Sequence, residues 1–325
     1  MKPAKSKSHR PPSTVHGRNV ALAGGVGGAK LADGLAQLLP PEDLTIVVNT
    51  GDDYEHFGLY ICPDLDTVCY TLAGLANPDT GWGRAGETWQ AMENLKHLGA
   101  PDWFHLGDRD LATHLERTRR LREGQSLTQI TRDFCKAWGV KHTVLPMSDD
   151  PLRTIVDTVE FGELPFQEYF VKHRCAPKVK GFRFAGIESA RPTPEVRQVL
   201  EETEAVVICP SNPWVSIDPI LAILGHPSPV SRHTAVAVSP IIGGKTVKGP
   251  AAKMFAELGI EPSALAVAEH YKNLLAGFVI DTIDADLAEN LRLANLPTCI
   301  TNTLMQSRSD RRRLAKDVLD FIQTL

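Results

Sequence analysis

The stretch VALAGGVGGAKLADGL, residues 20–35, decides the fold class. A short apolar run ends in four glycines within five positions, 24 to 28. Leucines then recur at 31, 35 and 38, at helical spacing, until Pro40 and Pro41 stop the pattern. A strand that ends in glycines and feeds a helix makes an anion site. Glycine admits positive φ and removes the side chain that would block approach, while exposed N–H groups and the helix dipole favour negative charge. The next run, LTIVVNTGDD (44–53), is β-branched without alternation, as expected of a strand buried on both faces. The chain therefore opens as strand, helix, strand, with a right-handed crossover. The glycine motif is neither of the common phosphate loops. Leu31 follows Lys30 where a Walker loop needs Ser or Thr, and counting G-x-G-x-x-G from Gly25 puts Lys30 at the sixth position.

Working outward, CPDLDTVCYTLAGL (62–75) reads as a loop entering a helix, with Asp66 as N-cap ahead of Val68, Leu72 and Leu75. Further helices are expected over 87–100 and over 126–139, the latter capped by Ser126. Residues 150–195 change texture: alternation and turns predict β-rich material, with a short helix around Phe166 to Val171. Parallel α/β texture returns at AVVICPSNP (205–213) and HTAVAVSPIIGG (233–244). A helix at 248–259 with proline in its first turn, two late strands and an amphipathic helix from Ser309 complete the chain. The expectation is one three-layer, Rossmann-like α/β domain over 19–325 with a mainly parallel sheet. A β-rich insertion at 150–195 interrupts it, and a basic tail at 1–18 precedes it.

Composition narrows the function. Lys and Arg number 35 against 39 Asp and Glu in 325 residues, a formal net charge of −4, so a nucleic-acid partner is not expected. No apolar run is long enough for a membrane span, and the first residues lack a signal peptide's apolar core. A cytoplasmic protein with no membrane partner is the expectation. Six scattered cysteines without C-x-x-C spacing read as reduced thiols.

In a parallel sheet the strands' C-terminal ends share one edge, where ligands bind. The glycine turn should thus neighbour Asp52 and Asp53. A dinucleotide enzyme needs one acid there, for a ribose; this chain has two, and two more in Asp64 and Asp66. That density suits a hard cation with oxygen ligands facing a phosphate. Asp64, directly after Pro63, reads as a turn residue, and Asp53 and Asp66 as the stronger candidates. Polar loops carrying Asp108, Arg109 and Asp110, Ser211 and Asn212, and Lys245 and Lys248 add a rim suited to a nucleotide diphosphate. His105, His114 and His270 have no ligand spacing and read as surface or core residues. One of Trp82, Trp89 and Trp103 is available to face a flat aromatic substrate. Without G-x-S-x-G, covalent nucleophilic catalysis has no support.

Taken together and in order, GGVGGAK, VVNTGDD, CPDLDTVCYTL, GWG with ETW, LGDRDLATH, LPMSDDP, PSNP, SPIIGGKTVKGPAAK and NTLM resemble the 2-phospho-L-lactate transferase family. The similarity runs from about residue 19 to the C-terminus. It implies a magnesium-dependent enzyme of coenzyme F-420 biosynthesis, a homodimer with a Rossmann-like fold. The implied donor is a guanosine diphosphate-linked three-carbon acid. The implied acceptor is the ribityl hydroxyl of 7,8-didemethyl-8-hydroxy-5-deazariboflavin, and GMP leaves. On these positions Asp53 and Asp66 are the catalytic acids, and Asp52, Asp53 and Asp66 hold the metal. Gly24, Gly25, Gly27, Gly28, Lys30, Ser211 and Asn212 take the nucleotide. Asp66, Trp82, His105, Asp108 and Arg109 take the deazaflavin side. Two alternatives come from the residues alone. An NAD(P)-dependent oxidoreductase fits the first strand–helix–strand unit but not its glycine spacing. A non-catalytic nucleotide-binding regulator would not need four acids beside a phosphate.

Overall fold

The structure, a computed structural model, describes residues 18–325. The basic tail lies outside the described residues except for Arg18, which pairs with Glu202 and accepts at its carbonyl from the Glu204 N–H.

Strand β1 (Asn19–Ala23) leads through α1 (Gly25–Ala36) to β2 (Leu44–Val48). The hairpin of β3 (Tyr54–His56) and β4 (Leu59–Ile61) precedes α2 (Pro63–Leu72). Three helices, α3 (Gln90–His97), α4 (Asp108–Arg122) and α5 (Leu127–Ala137), lead to β5 (Thr143–Pro146). An antiparallel excursion follows: β6 (Arg153–Thr158), β7 (Gly162–Pro165), a π-turn at Glu168–Lys172, and β8 (Val179–Ala185). Helix α6 (Pro194–Glu202) returns the chain to β9 (Ala205–Ile208), then α7 (Asp218–Leu224) and β10 (Thr234–Val238). A small hairpin, β11 (Ile241–Ile242) and β12 (Lys245–Thr246), stands before α8 (Ala251–Glu257) and α9 (Ala264–His270). The last elements are β13 (Gly277–Asp281), α10 (Ala288–Leu293), β14 (Thr298–Thr301) and α11 (Arg308–Ile322).

The central sheet has seven strands, all parallel, in the order β14-β13-β10-β9-β1-β2-β5. Its inner strands are mainly apolar, without alternation, because both faces are covered. Val20 and Leu22 of β1 face the layer of α6 to α10, and Ala21 and Ala23 face α1, α2, α5 and α11. Leu31 and Leu35, seen in the sequence as the α1 stripe, are fully buried in the second layer. Truncating Leu35 to alanine would open a cavity costing about 2–5 kcal/mol. In β6 the alternation is literal: Thr154, Val156 and Thr158 are buried, and Val156 packs with Tyr169, Val215 and Met254. Among the described residues no helix is long and apolar enough to cross a membrane.

The three-layer parallel fold and the β-rich excursion match the sequence reading, but several boundaries move. Helix α1 begins at Gly25, inside the glycine run, not at Gly28. Helix α8 begins after Pro250, which caps it. Helix α11 is capped by Ser307 in a capping box with Asp310. Asp66 does not cap α2: that helix starts at Pro63, so Asp64 and Asp66 both fall in its first turn.

Candidate active site

Strands β1 and β9 are neighbours, but α1 leaves β1 toward one face and α7 leaves β9 toward the other. This is the sheet's switch point, where a crevice opens beyond the strand ends. A cavity of about 540 Å³ occupies it. Its floor carries Gly24, Gly25, Gly27, Lys30, Asp52, Asp64, Asp66, Ser211 and Asn212. Segments beyond the sheet edge supply the walls: Trp82, Phe104 and His105 from one side of the sequence, and Phe166, Gln167 and Phe170 from the excursion.

The glycines act more through closeness than through backbone freedom. Only Gly25 has a positive φ, +61°. A Cβ on Gly24 would lie 2.5 Å from an Asp64 oxygen, and one on Gly27 would lie 2.3 Å from the Pro210 carbonyl oxygen. On Gly28 it would lie 2.5 Å from Ser211 Oγ, so Gly28 packs under the crevice rather than lining it. The expected open loop is thus the first turn of α1, pressed against the β9 loop and α2. The Gly24 N–H donates to Ser211 Oγ at 3.1 Å, and Ser211 Oγ donates back to the Gly24 carbonyl at 2.8 Å. The Gly25 N–H donates to Asp64 at 2.7 Å. The first-turn N–H groups of Val26 and Gly27 remain available to an anion. Lys30 donates to the Met305 carbonyl at 2.8 Å, and burial, with Arg311 and Lys248 nearby, lowers its pKa. Asn212 caps the next turn by accepting from the Trp214 N–H at 3.1 Å.

The acids are the second half of the site. Asp64, read as a turn residue, is central instead. It accepts from Gly25 and, at 2.9 Å, from Asn49 Nδ2; burial still raises its pKa to about 6 against those hydrogen bonds. Asp52 is raised well above the ordinary carboxylate range by burial and by Asp64. Asp53 does not line the cavity; it lies buried beneath the floor. Burial raises it to about 7, tempered by Arg153, Cys62 and Arg117. Asp52 Oδ1 and both Asp53 carboxylate oxygens are sealed from solvent without a geometrically formed hydrogen bond. Asp66 is gripped through both oxygens by the buried guanidinium of Arg117, the Nη1–Oδ2 contact being 3.0 Å. Burial nonetheless raises its pKa, with Arg117 and His114 opposing. Clustered carboxylates with orphaned oxygens, their pKa values raised by burial, fit a hard divalent cation.

Besides Gly28 and Asp53, two further predicted residues are not brought to the cavity. Asp108 is spent on helix capping, accepting from the N–H groups of Gln90 at 3.1 Å and Ala91 at 3.0 Å. Arg109 reaches the Ala85 carbonyl at 3.2 Å on the exposed side. Their neighbours Asp110 and His114 do line it. His114 is not a surface residue: it is 1% exposed, with Nε2 3.4 Å from Asp110 and Nδ1 3.2 Å from Arg117 Nη1. Asp110, His114 and Arg117 recur at i, i+4 and i+7, a one-face spacing that was available in the sequence. Gln167 and the phenylalanines beside it carried no such signal.

Fold and site together define a parallel α/β protein with an acid-floored anion crevice at its switch point. The family model for 2-phospho-L-lactate transferase CofD matches residues 20–322, and the chain belongs to that family. It is 41% identical over 313 residues to the phosphoenolpyruvate transferase of Streptomyces griseus, covering 94% of this chain and 98% of that one. It is 39% identical over 302 residues to the 2-phospho-L-lactate transferase of Methanosarcina mazei, covering 92% and 99%. The crystal structure of a UPF0052 family member from Bacillus halodurans superposes with a TM-score of 0.61 at 16% identity, covering 94% and 99%, a likeness of fold. The resemblance read from the collinear motifs is borne out. The protein is a transferase of the phospholactate and phosphoenolpyruvate type, and the oxidoreductase alternative falls.

Proposed function

We propose that the enzyme transfers a phospho-(three-carbon acid) unit of the 2-phospho-L-lactate or phosphoenolpyruvate type. The donor is guanosine diphosphate-linked, the acceptor is the ribityl hydroxyl of 7,8-didemethyl-8-hydroxy-5-deazariboflavin, and GMP is released. The product is coenzyme F-420 before glutamylation, or its dehydro form. The observation that carries this reading is one cavity joining the α1 N-terminus and a floor of raised carboxylates to aromatic walls. A diphosphate suits the first; a flat heterocycle suits the second.

The chain's residues then divide the work. The Val26 and Gly27 N–H groups and Lys30 hold the donor's phosphates. Asp52, Asp53, Asp64 and Asp66 are the acids that would hold magnesium. Bound there, magnesium supplies charge neutralisation at the diphosphate. The hydroxyl oxygen forms the new P–O bond as the anhydride bond to GMP breaks. Asp66, fixed by Arg117 and open to the cavity, accepts the hydroxyl proton. Alignment and electrostatics supply the rest. The family resemblance also implies a homodimer, testable by mass in solution.

The test is one reaction: protein, magnesium and the deazaflavin precursor with each guanosine-activated acid, products separated by mass. Product with one donor and equimolar GMP is expected. Absence of product with phospholactate, phosphoenolpyruvate and phosphoglycerate donors would overturn the reading.

A further inference from the structure

One wall of the cavity carries a polar side chain that, among the described residues, has no hydrogen-bond partner. Gln167 is 5% exposed and lines the cavity, and its side-chain amide has no hydrogen-bond partner among the described residues. The amide is not sealed from solvent, so it opens to the cavity, where a ligand can take the place of water. Its setting narrows the ligand. Phe166 and Phe170 flank it, their rings stacked at 6° with centroids 5.5 Å apart, and both line the same cavity. Phe170 is still 37% exposed, so a ring face is open to an incoming plane. Tyr169, between them, is fully buried in the excursion's core, which Phe166 also joins. The segment 166–170 thus places two aromatic rings at the cavity beside one free amide.

We propose that Gln167 selects the acceptor by pairing with the imide edge of its pyrimidinedione ring. An amide offers one acceptor and a donor side by side. An imide offers the complement, an N–H beside a carbonyl, and the adjacent phenylalanine faces hold such a ring in plane. This assignment rests on the deazaflavin reading above and adds to it the residue that recognises the heterocycle. Gln167 is a specificity residue: it reads the ring, while the reacting hydroxyl is handled at the acidic floor.

The experiment pairs a protein change with a ligand change. Wild type and Gln167→Leu are assayed with the deazaflavin precursor and with the same ring methylated at the imide nitrogen. Wild type is expected to show an acceptor KM about tenfold or more higher for the methylated ring. Gln167→Leu should show a similar rise for the unmodified ring, with no further penalty on methylation. Donor KM should be unchanged and kcat nearly so. Gln167→Glu, which keeps the length and loses the donors, should repeat the rise and guards against a folding defect in the leucine variant. Undiminished discrimination against the methylated ring in both variants would overturn the proposal. So would a rise in donor KM in place of acceptor KM, which would put the amide on the guanine. Failure of wild type to use the unmodified acceptor with any donor would overturn the functional reading, and the proposal with it. Wild type is measured first, so the two failures are told apart.

Discussion

Two helices in this protein start with the same acidic spacing. Helix α2 opens P-D-L-D and α4 opens G-D-R-D, each with two carboxylates in the first turn, where the helix dipole welcomes them. Their fates are opposite. On α2, Asp64 and Asp66 are buried, and burial raises both pKa values. On α4, Asp108 sits at the surface and is lowered by Thr88 and by the Ala91 and Gln90 N–H groups. Asp110 is also lowered, since His114 and Tyr70 overcome the effect of its burial. An acid at a helix start is structural when its donors outweigh its desolvation. It is available for chemistry when they do not.

Each prediction tests that contrast. The largest effect is expected at Asp64: replacement by asparagine should cut turnover by about a thousandfold, the scale of losing several kcal/mol of charge stabilisation. Steady-state assay of the transfer reaction measures it, and a loss under about tenfold would make the α2 acids no different from Asp108. Next is Arg117→Met, which strands buried Asp66. Urea unfolding should show a loss of about 3–5 kcal/mol, with part recovered when Asp66→Asn is added.

The pH dependence follows from the raised acids. Asp53 at about 7 and Asp64 at about 6 bind protons in the folded state that the unfolded chain has released, since the ordinary value is 3.8. Their contribution to stability is therefore favourable at acid pH and is lost as pH rises from about 4 to about 7. Magnesium should reverse this, raising the melting temperature more at pH 8 than at pH 5. An equal rise at both would mean the ion binds elsewhere. A smaller effect is expected for Asp108→Ala: about 1 kcal/mol of stability from the lost cap, with turnover kept within about threefold. Smallest of all is deletion of residues 1–15, which precede the family match at residue 20 and should leave turnover unchanged.

The legibility of the sequence followed the same division. Periodicity and glycine placement gave the parallel sheet, the two helical layers and the shared strand edge, because those depend on local pattern. They also put the glycine turn and the acids together. What escaped was set by partners distant in sequence. Asp64 looked like a turn residue because its donor Asn49 is on another element and Gly25 on a third. His114 read as a surface or core residue because Asp110 and Arg117 matter only once α4 packs beside α2. Gln167 was invisible because its significance is the lack of a partner, which no string displays. Asp108 and Arg109 sit in a motif that marks the family, yet their side chains serve the fold.

The mutual clasp of Ser211 and Gly24 has an evolutionary consequence. It ties the mouths of the two strands bordering the switch point, and beside it Gly27 has no room for a methyl against the Pro210 carbonyl. The width of the crevice at this point is therefore fixed by close packing. Changes of substrate are expected elsewhere, on the walls formed by the 100–105 segment and the excursion. New acceptor or donor preferences should arise from substitutions in those segments while the glycines stay as they are.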